Sequence, residues 1–226
     1  MAIDISRIRA LCFDVDGTLI DTDNLAVHKL ARLLRPVKFL FPHKNPHPFA
    51  RRLVMFTETP GNMFFGLADR LRINRLLVHL GNFTYRLGLH GKPASSVLVP
   101  GVRRMLGLVG PRYPLSIITA RNERTVRQFL ENHDLTGSFK CVAHAMTCRH
   151  TKPFPDPVLW VAAQMGVSPE QCLVIGDTTL DICSGKSAGA QTVGVLCGFG
   201  EEDELRRAGA DLILPSTANL AEVLIR

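Results

Sequence analysis

Two carboxylates stand two residues apart in Asp14-Val15-Asp16-Gly17-Thr18, directly after the short apolar run of residues 9–13. In an extended strand, residues two apart point the same way, so Asp14 and Asp16 can converge where the strand ends and the chain turns. Carboxylates this close repel each other unless one is protonated or a cation joins them. A hard ion such as Mg2+ resolves the conflict by taking oxygen ligands from both residues. Gly17 permits the turn, and taken alone the motif also reads as an Asp-Gly turn with a helix cap.

Three further marks weigh against that plainer reading. Thr119 closes the run Leu115-Ser116-Ile117-Ile118, where its hydroxyl and the next backbone N–H, that of Ala120, suit a phosphate. Lys152 puts an ammonium in a loop stiffened by Pro153, Pro155 and Pro157, although a lone loop lysine is usually a solvated charge. In Gly176-Asp177-Thr178-Thr179-Leu180-Asp181, Asp177 falls at a strand end and Asp181 one helical turn on, so both can face one site. Alone, that run also reads as a helix cap.

The elements that must position these residues alternate. Strand-like runs at 9–13, 113–119, 139–145, 171–177, 191–196 and 210–214 are separated by helix-like runs at 101–109, 122–133, 156–166, 179–189 and 201–209, and a short terminal helix follows. Unbroken apolar strands in such alternation predict an α/β fold, a doubly wound, Rossmann-like parallel sheet with helices on both faces. All four chemical marks then lie at the carboxyl ends of strands, where open α/β sheets place their ligands.

Residues 22–92 break the rhythm. A helix is predicted from Thr22 with Leu25, Leu30, Leu33 and Leu34 near one face, stopped by Pro36; prolines at 42, 46 and 48 forbid regular helix after it. From 62 to 89 the apolar positions 64, 67, 71, 77, 80, 83 and 87 predict two more helices. The segment holds 12 Lys and Arg against three acids, +9, while the rest of the chain has 15 against 17, −2. The expected organisation is a core of 1–21 and 93–226 with a basic helical cap, 22–92, inserted after the first strand. A basic, apolar stretch at 62–89 is compatible with contact on an anionic membrane surface, but a solvated cap that attracts an anionic substrate accounts for it more simply. One Tyr and no Trp in this segment argue against a nucleic-acid module.

Other classes are excluded more firmly. No apolar run approaches the ~18 residues of a membrane-spanning helix. The first residues contain acids and no signal-peptide core, so a cytoplasmic protein is expected. Six cysteines in 226 residues do not form a disulfide framework. The spacing of Cys141, His144, Cys148 and His150 matches no common zinc finger, so free thiols are expected there.

The ordered set of four motifs resembles the haloacid dehalogenase superfamily of phosphohydrolases over residues 1–22 and 93–226. Gly198-Phe199-Gly200, Glu204-Leu205 and Ala208-Gly209-Ala210-Asp211 look like its phosphoglycolate phosphatase branch. The resemblance implies a phosphatase acting on a small phosphorylated metabolite, with Asp14 as nucleophile and Asp16 as general acid and base. It implies Mg2+ held by Asp14, Asp16 through its backbone carbonyl, Asp177 and Asp181, the last as ligand or just behind one. Thr119, Ala120 and Lys152 would bind phosphate, and Thr18 would orient an aspartate. Arg35, Arg51, Arg52 and His79 are candidates for reading the substrate's distal part. The second acid, Asp16, argues against a dehalogenase. A sugar-phosphate mutase, which keeps the same acid pair, is the alternative, and a monomer or a homodimer is equally compatible.

Overall fold

The computed structural model describes residues 3–21, 32–41, 46 and 97–225. Six strands form one sheet: β1 (Ala10–Phe13), β2 (Leu115–Ile118), β3 (Cys141–Ala143), β4 (Cys172–Gly176), β5 (Gln191–Val195) and β6 (Leu212–Leu214). Their order is β3-β2-β1-β4-β5-β6, and every pairing is parallel. The helices are α1 (Val102–Val109), α2 (Glu123–Asn132), α3 (Asp156–Met165), α4 (Thr179–Ser187), α5 (Glu202–Arg207) and α6 (Leu220–Leu224).

Strand alternation divides the core into two layers. Leu11, Phe13, Leu115, Ile117, Leu173, Ile175, Val193 and Val195 pack in one buried cluster with α1, α2 and α6. Ala10, Cys12, Ile118, Ala143 and Val174 pack in a second with Val158, Val161, Ala162 and Met165 of α3. Both faces of the central strands are covered, as a parallel sheet of uninterrupted apolar strands requires. From β1 the chain builds outward to β2 and β3, then crosses to β4, β5 and β6 on the other side. The crossing opens a crevice at the carboxyl ends of β1 and β4.

The predicted strands exist, with shorter bounds. β3 stops at Ala143 because the chain then turns, His144 N–H donating to Thr147 Oγ1 and Ala145 N–H to the Arg121 carbonyl. Only Pro153 stiffens the lysine loop itself: Pro155 is the N-cap of α3 and Pro157 lies in its first turn, where a missing N–H costs nothing. The peptide bond from Lys152 to Pro153 is cis.

Most of the predicted cap falls outside the described residues. Within it, a helical turn at 32–33 gives way before Pro36 to a 3-10 helix, Arg35–Leu40. Leu33, assigned to that helix's apolar face, is instead 75% exposed. Residues on either side of the expected cap are paired: Asp21 N–H donates to the Val97 carbonyl at 2.8 Å, and Val99 N–H to that of Leu19 at 3.0 Å. No helix among the described residues is long and apolar enough to cross a membrane.

Candidate active site

Asp14 is the first residue beyond β1, the central strand, and its N–H is tied to the Ile175 carbonyl of β4 at 2.9 Å. The residue is 7% exposed. Oδ1 accepts from Lys152 Nζ at 2.6 Å, and no described group donates to Oδ2. Lys152 spends its other two protons on Asp181 Oδ1, at 2.6 Å, and on the Ile118 carbonyl, at 3.2 Å. The ammonium is therefore a rigid bridge from the end of β2 to two carboxylates.

Asp181 is in the first turn of α4, and its Oδ2 accepts from the Thr178 N–H at 3.0 Å and hydroxyl at 2.6 Å. This is a reciprocal cap, and it starts the helix while aiming Oδ1 at Lys152. Asp177, fully buried, follows β4; Oδ1 accepts from the Thr18 hydroxyl at 3.2 Å and Oδ2 from the Phe199 N–H at 2.8 Å. Two glycines make that seat. A Cβ on Gly17, whose φ is +74°, would lie 2.3 Å from Asp177 Oδ2, and one on Gly198 would lie 2.1 Å from it. The need for Gly17 is therefore both a left-handed turn and a close approach.

Ligand oxygens of Asp14, Asp177 and Asp181 lie within 4.8 Å of one another, the one such cluster among the described residues. Three carboxylates against the single ammonium of Lys152 leave two negative charges when all are ionised. An all-oxygen donor set with that imbalance fits a hard divalent cation. The Asp16 carboxylate is not in the cluster, which leaves its main-chain carbonyl as the ligand atom it could offer.

Burial pushes the Asp14 carboxyl up to about 7; Lys152 pulls it down, but Asp181 and Asp16 add to the rise. Burial also opposes the charge of Lys152, yet the two carboxylates outweigh it and hold the ammonium well above its ordinary range. A raised carboxyl means that the folded state binds a proton the unfolded chain has released, so stability falls as pH climbs from about 4 towards 7. Melting curves in EDTA should therefore show a falling midpoint over this window. A divalent cation, which competes with protons for Asp14, should raise the midpoint more at pH 8 than at pH 5.5. An equal rise at both would show that the ion bypasses Asp14.

Thr119, 5% exposed, stands just past β2. Its Oγ1 accepts from the Arg121 N–H at 3.1 Å, which leaves the hydroxyl proton for an acceptor in the site. Among the described residues no acceptor meets the exposed Ala120 N–H. Asp14, Thr18, Thr119, Ala120, Lys152, Asp177 and Asp181 are thus gathered at one end of the sheet. Arg35 is exposed on the 3-10 helix. Arg51, Arg52 and His79, like the 62–89 stretch, lie outside the described residues.

Two contributors were not assigned to the site from the sequence. Arg121 holds Asp16 by both oxygens, Nε to Oδ2 at 2.7 Å and Nη2 to Oδ1 at 2.6 Å; its only sequence signal is a basic residue two positions after a strand-end threonine. The Phe199 N–H supports Asp177, signalled only by the flanking glycines. Three of the four Cys and His residues weighed as a zinc site have other partners. Cys141 Sγ faces the Val161 carbonyl, His144 Nδ1 accepts from Met146 N–H, and His150 pairs with Asp156 at 2.9 Å. All six cysteines are free thiols, Cys12 and Cys172 buried and the other four half-buried.

Comparison with known proteins agrees with this geometry. Residues 11–195 match the family described as haloacid dehalogenase-like hydrolase. Pyrophosphatase PpaX of Anoxybacillus flavithermus is 28% identical over 223 residues, 96% of this chain and 97% of that protein. Phosphoglycolate phosphatase of Escherichia coli is 33% identical over 131 residues, 58% of this chain and about half, 52%, of that enzyme. A hydrolase from Pseudomonas syringae superposes with a TM-score of 0.67 at 22% identity, covering 96% of this chain and 98% of that one, which speaks for the fold. With a parallel six-stranded core, an aspartate cluster at its switch point and a family match over most of its length, the chain belongs to the haloacid dehalogenase-like hydrolases.

Proposed function

We propose that this protein is a Mg2+-dependent phosphatase that hydrolyses a small organic phosphate monoester through an aspartyl-phosphate on Asp14. The observation that carries this reading is the buried Asp14 itself, held by Lys152 on Oδ1 with Oδ2 left over, beside Asp177 and Asp181. The relatives, a phosphoglycolate phosphatase and a pyrophosphatase, support phosphate-bond hydrolysis over the mutase alternative.

Asp14, Asp177 and Asp181, with the Asp16 main-chain carbonyl, would hold the Mg2+. When bound, the ion supplies positive charge that offsets the carboxylates and lets an anionic phosphate approach. The chain's own groups do the rest. Lys152, the Thr119 hydroxyl and the Ala120 N–H hold phosphoryl oxygens and orient phosphorus for attack. An Asp14 oxygen forms the new bond to phosphorus as the ester P–O bond breaks, while Asp16 gives its proton to the departing oxygen. Asp16, now a carboxylate, takes a proton from the water that attacks phosphorus, releasing inorganic phosphate and restoring Asp14. Such chemistry is chiefly positioning and charge compensation.

Residues 22–92 form, on this reading, the cap of a core made of 1–21 and 93–226. The pairing of Asp21 with Val97, on either side of it, supports an insertion between two parts of one core. Its +9 charge attracts anionic substrates, and Arg35, Arg51, Arg52 and His79 contact the substrate beyond its phosphate. Phosphate release should be measured on a panel that includes 2-phosphoglycolate, sugar phosphates and pyrophosphate, with Mg2+ and with EDTA. Metal-dependent release from a monoester is expected. Release from pyrophosphate alone would overturn the monoester assignment, and conversion of a sugar phosphate to its isomer without release would favour the mutase.

A further inference from the structure

The proposed mechanism asks Asp16 to serve two partners in turn, yet its side chain is 38% exposed at the rim of the site. A carboxylate with two rotatable bonds at that exposure samples several rotamers unless something fixes it. Thr18, expected to orient an aspartate, serves Asp177 and not Asp16: its hydroxyl donates to Asp177, and its carbonyl accepts from the Thr217 hydroxyl at 2.7 Å. Among the described residues, only Arg121 hydrogen-bonds the Asp16 carboxylate, at 2.7 and 2.6 Å.

The guanidinium stands on a fixed base. Arg121 N–H donates to Thr119 Oγ1 at 3.1 Å, and its carbonyl accepts from the Ala145 N–H at 2.9 Å. The next residue, Asn122, caps α2 by accepting from the Thr125 N–H at 3.0 Å. Arg121 is thus clamped between the end of β2 and the start of α2, and its side chain is only 24% exposed. Two parallel N–H bonds fix the plane of a carboxylate as well as its direction, which a lysine ammonium does not do. Each Asp16 oxygen accepts one bond and keeps a second lone pair, so the group can take or give a proton without leaving the fork.

We propose that Arg121 is the positioning residue for Asp16, holding its carboxylate over the leaving-group side of the phosphate site. This rests on the phosphatase reading above. Asp16 donates its proton as the ester P–O bond breaks, so the aid matters most for an alkoxide, a poor leaving group, and least for p-nitrophenolate. A side chain that instead bound the phosphoryl oxygens would serve both esters alike.

The test compares kcat/KM, which reports the steps up to leaving-group departure, for an alkyl phosphate and for p-nitrophenyl phosphate. Wild type, Arg121→Met, Arg121→Lys, Asp16→Asn and the double variant Arg121→Met/Asp16→Asn are measured, with inorganic phosphate as a competitive inhibitor. General acid catalysis is typically worth 10²–10⁴-fold, so Arg121→Met should cost the alkyl ester roughly tenfold or more beyond its cost to p-nitrophenyl phosphate. The double variant should be no worse than Asp16→Asn alone, and the inhibition constant for inorganic phosphate should move by less than about threefold. Where Arg121→Met does not fold, Arg121→Lys, which keeps the charge and loses the fork, carries the same comparison. Equal losses for both esters, multiplicative losses in the double variant, or a roughly tenfold weaker phosphate inhibition would overturn the assignment and make Arg121 a phosphate ligand. Wild type inert towards every ester would sink the phosphatase reading itself, whereas an active wild type with a flat leaving-group response would sink only the role of Arg121.

Discussion

Asp14→Asn is expected to lower turnover by at least about 10³-fold while leaving the protein as stable as wild type or more so. Both halves follow from the same geometry. Asn has the size of Asp but no carboxylate to bond phosphorus, so the first covalent step is lost. The charge removed is one the fold disfavours, since burial and two neighbouring carboxylates push Asp14 up to about 7. In EDTA above pH 7 the variant should therefore melt no lower than wild type, with Lys152 retaining its bond to Asp181. Rates and melting curves on one preparation check both. A variant that keeps more than about a tenth of wild-type turnover would remove Asp14 from the chemistry.

Lys152→Met should damage both properties. It takes away the one ammonium among the described residues that faces Asp14 and Asp181, leaving two buried carboxylates without their shared cation. Breaking a buried pair from one side typically costs about 3–5 kcal/mol, and a bound divalent ion should recover part of this. The midpoint should then fall by several degrees in EDTA and by less in Mg2+. Loss of a preorganised cation at the phosphate should cost about 10²–10³-fold in turnover in either case. Unchanged melting in EDTA would mean that Lys152 does not neutralise the cluster. Turnover within a few-fold of wild type would mean that it does not hold phosphate.

What could be read from the sequence was local. Strands are short apolar runs, and the aspartates announce themselves because they directly follow such runs, as Asp14 follows Phe13 and Asp177 follows Gly176. Lys152 was recoverable only as one of an ordered set, since nothing in its loop says that the ammonium turns inward to two acids. Arg121 escaped because its meaning lies in a partner 105 residues away, and Thr18 was assigned no particular aspartate because Asp177 lies 159 residues on. Such pairings depend on β1 lying between β2 and β4, a strand order that no local pattern encodes. The Cys and His cluster shows the converse: Cys141, His144 and His150, close in sequence, turn to three different partners once β3 ends and the chain turns.

The proposed phosphatase chemistry turns on a covalent phosphoryl group on Asp14. Rapid mixing with a labelled phosphate ester, acid quenching within one turnover, borohydride reduction of any acyl phosphate and peptide mapping by mass spectrometry would test it directly. Labelled enzyme is expected in the first turnover, with the reduced residue at position 14 and none in Asp14→Asn. Full turnover with no trapped label at any time point, or label on another residue, would contradict it.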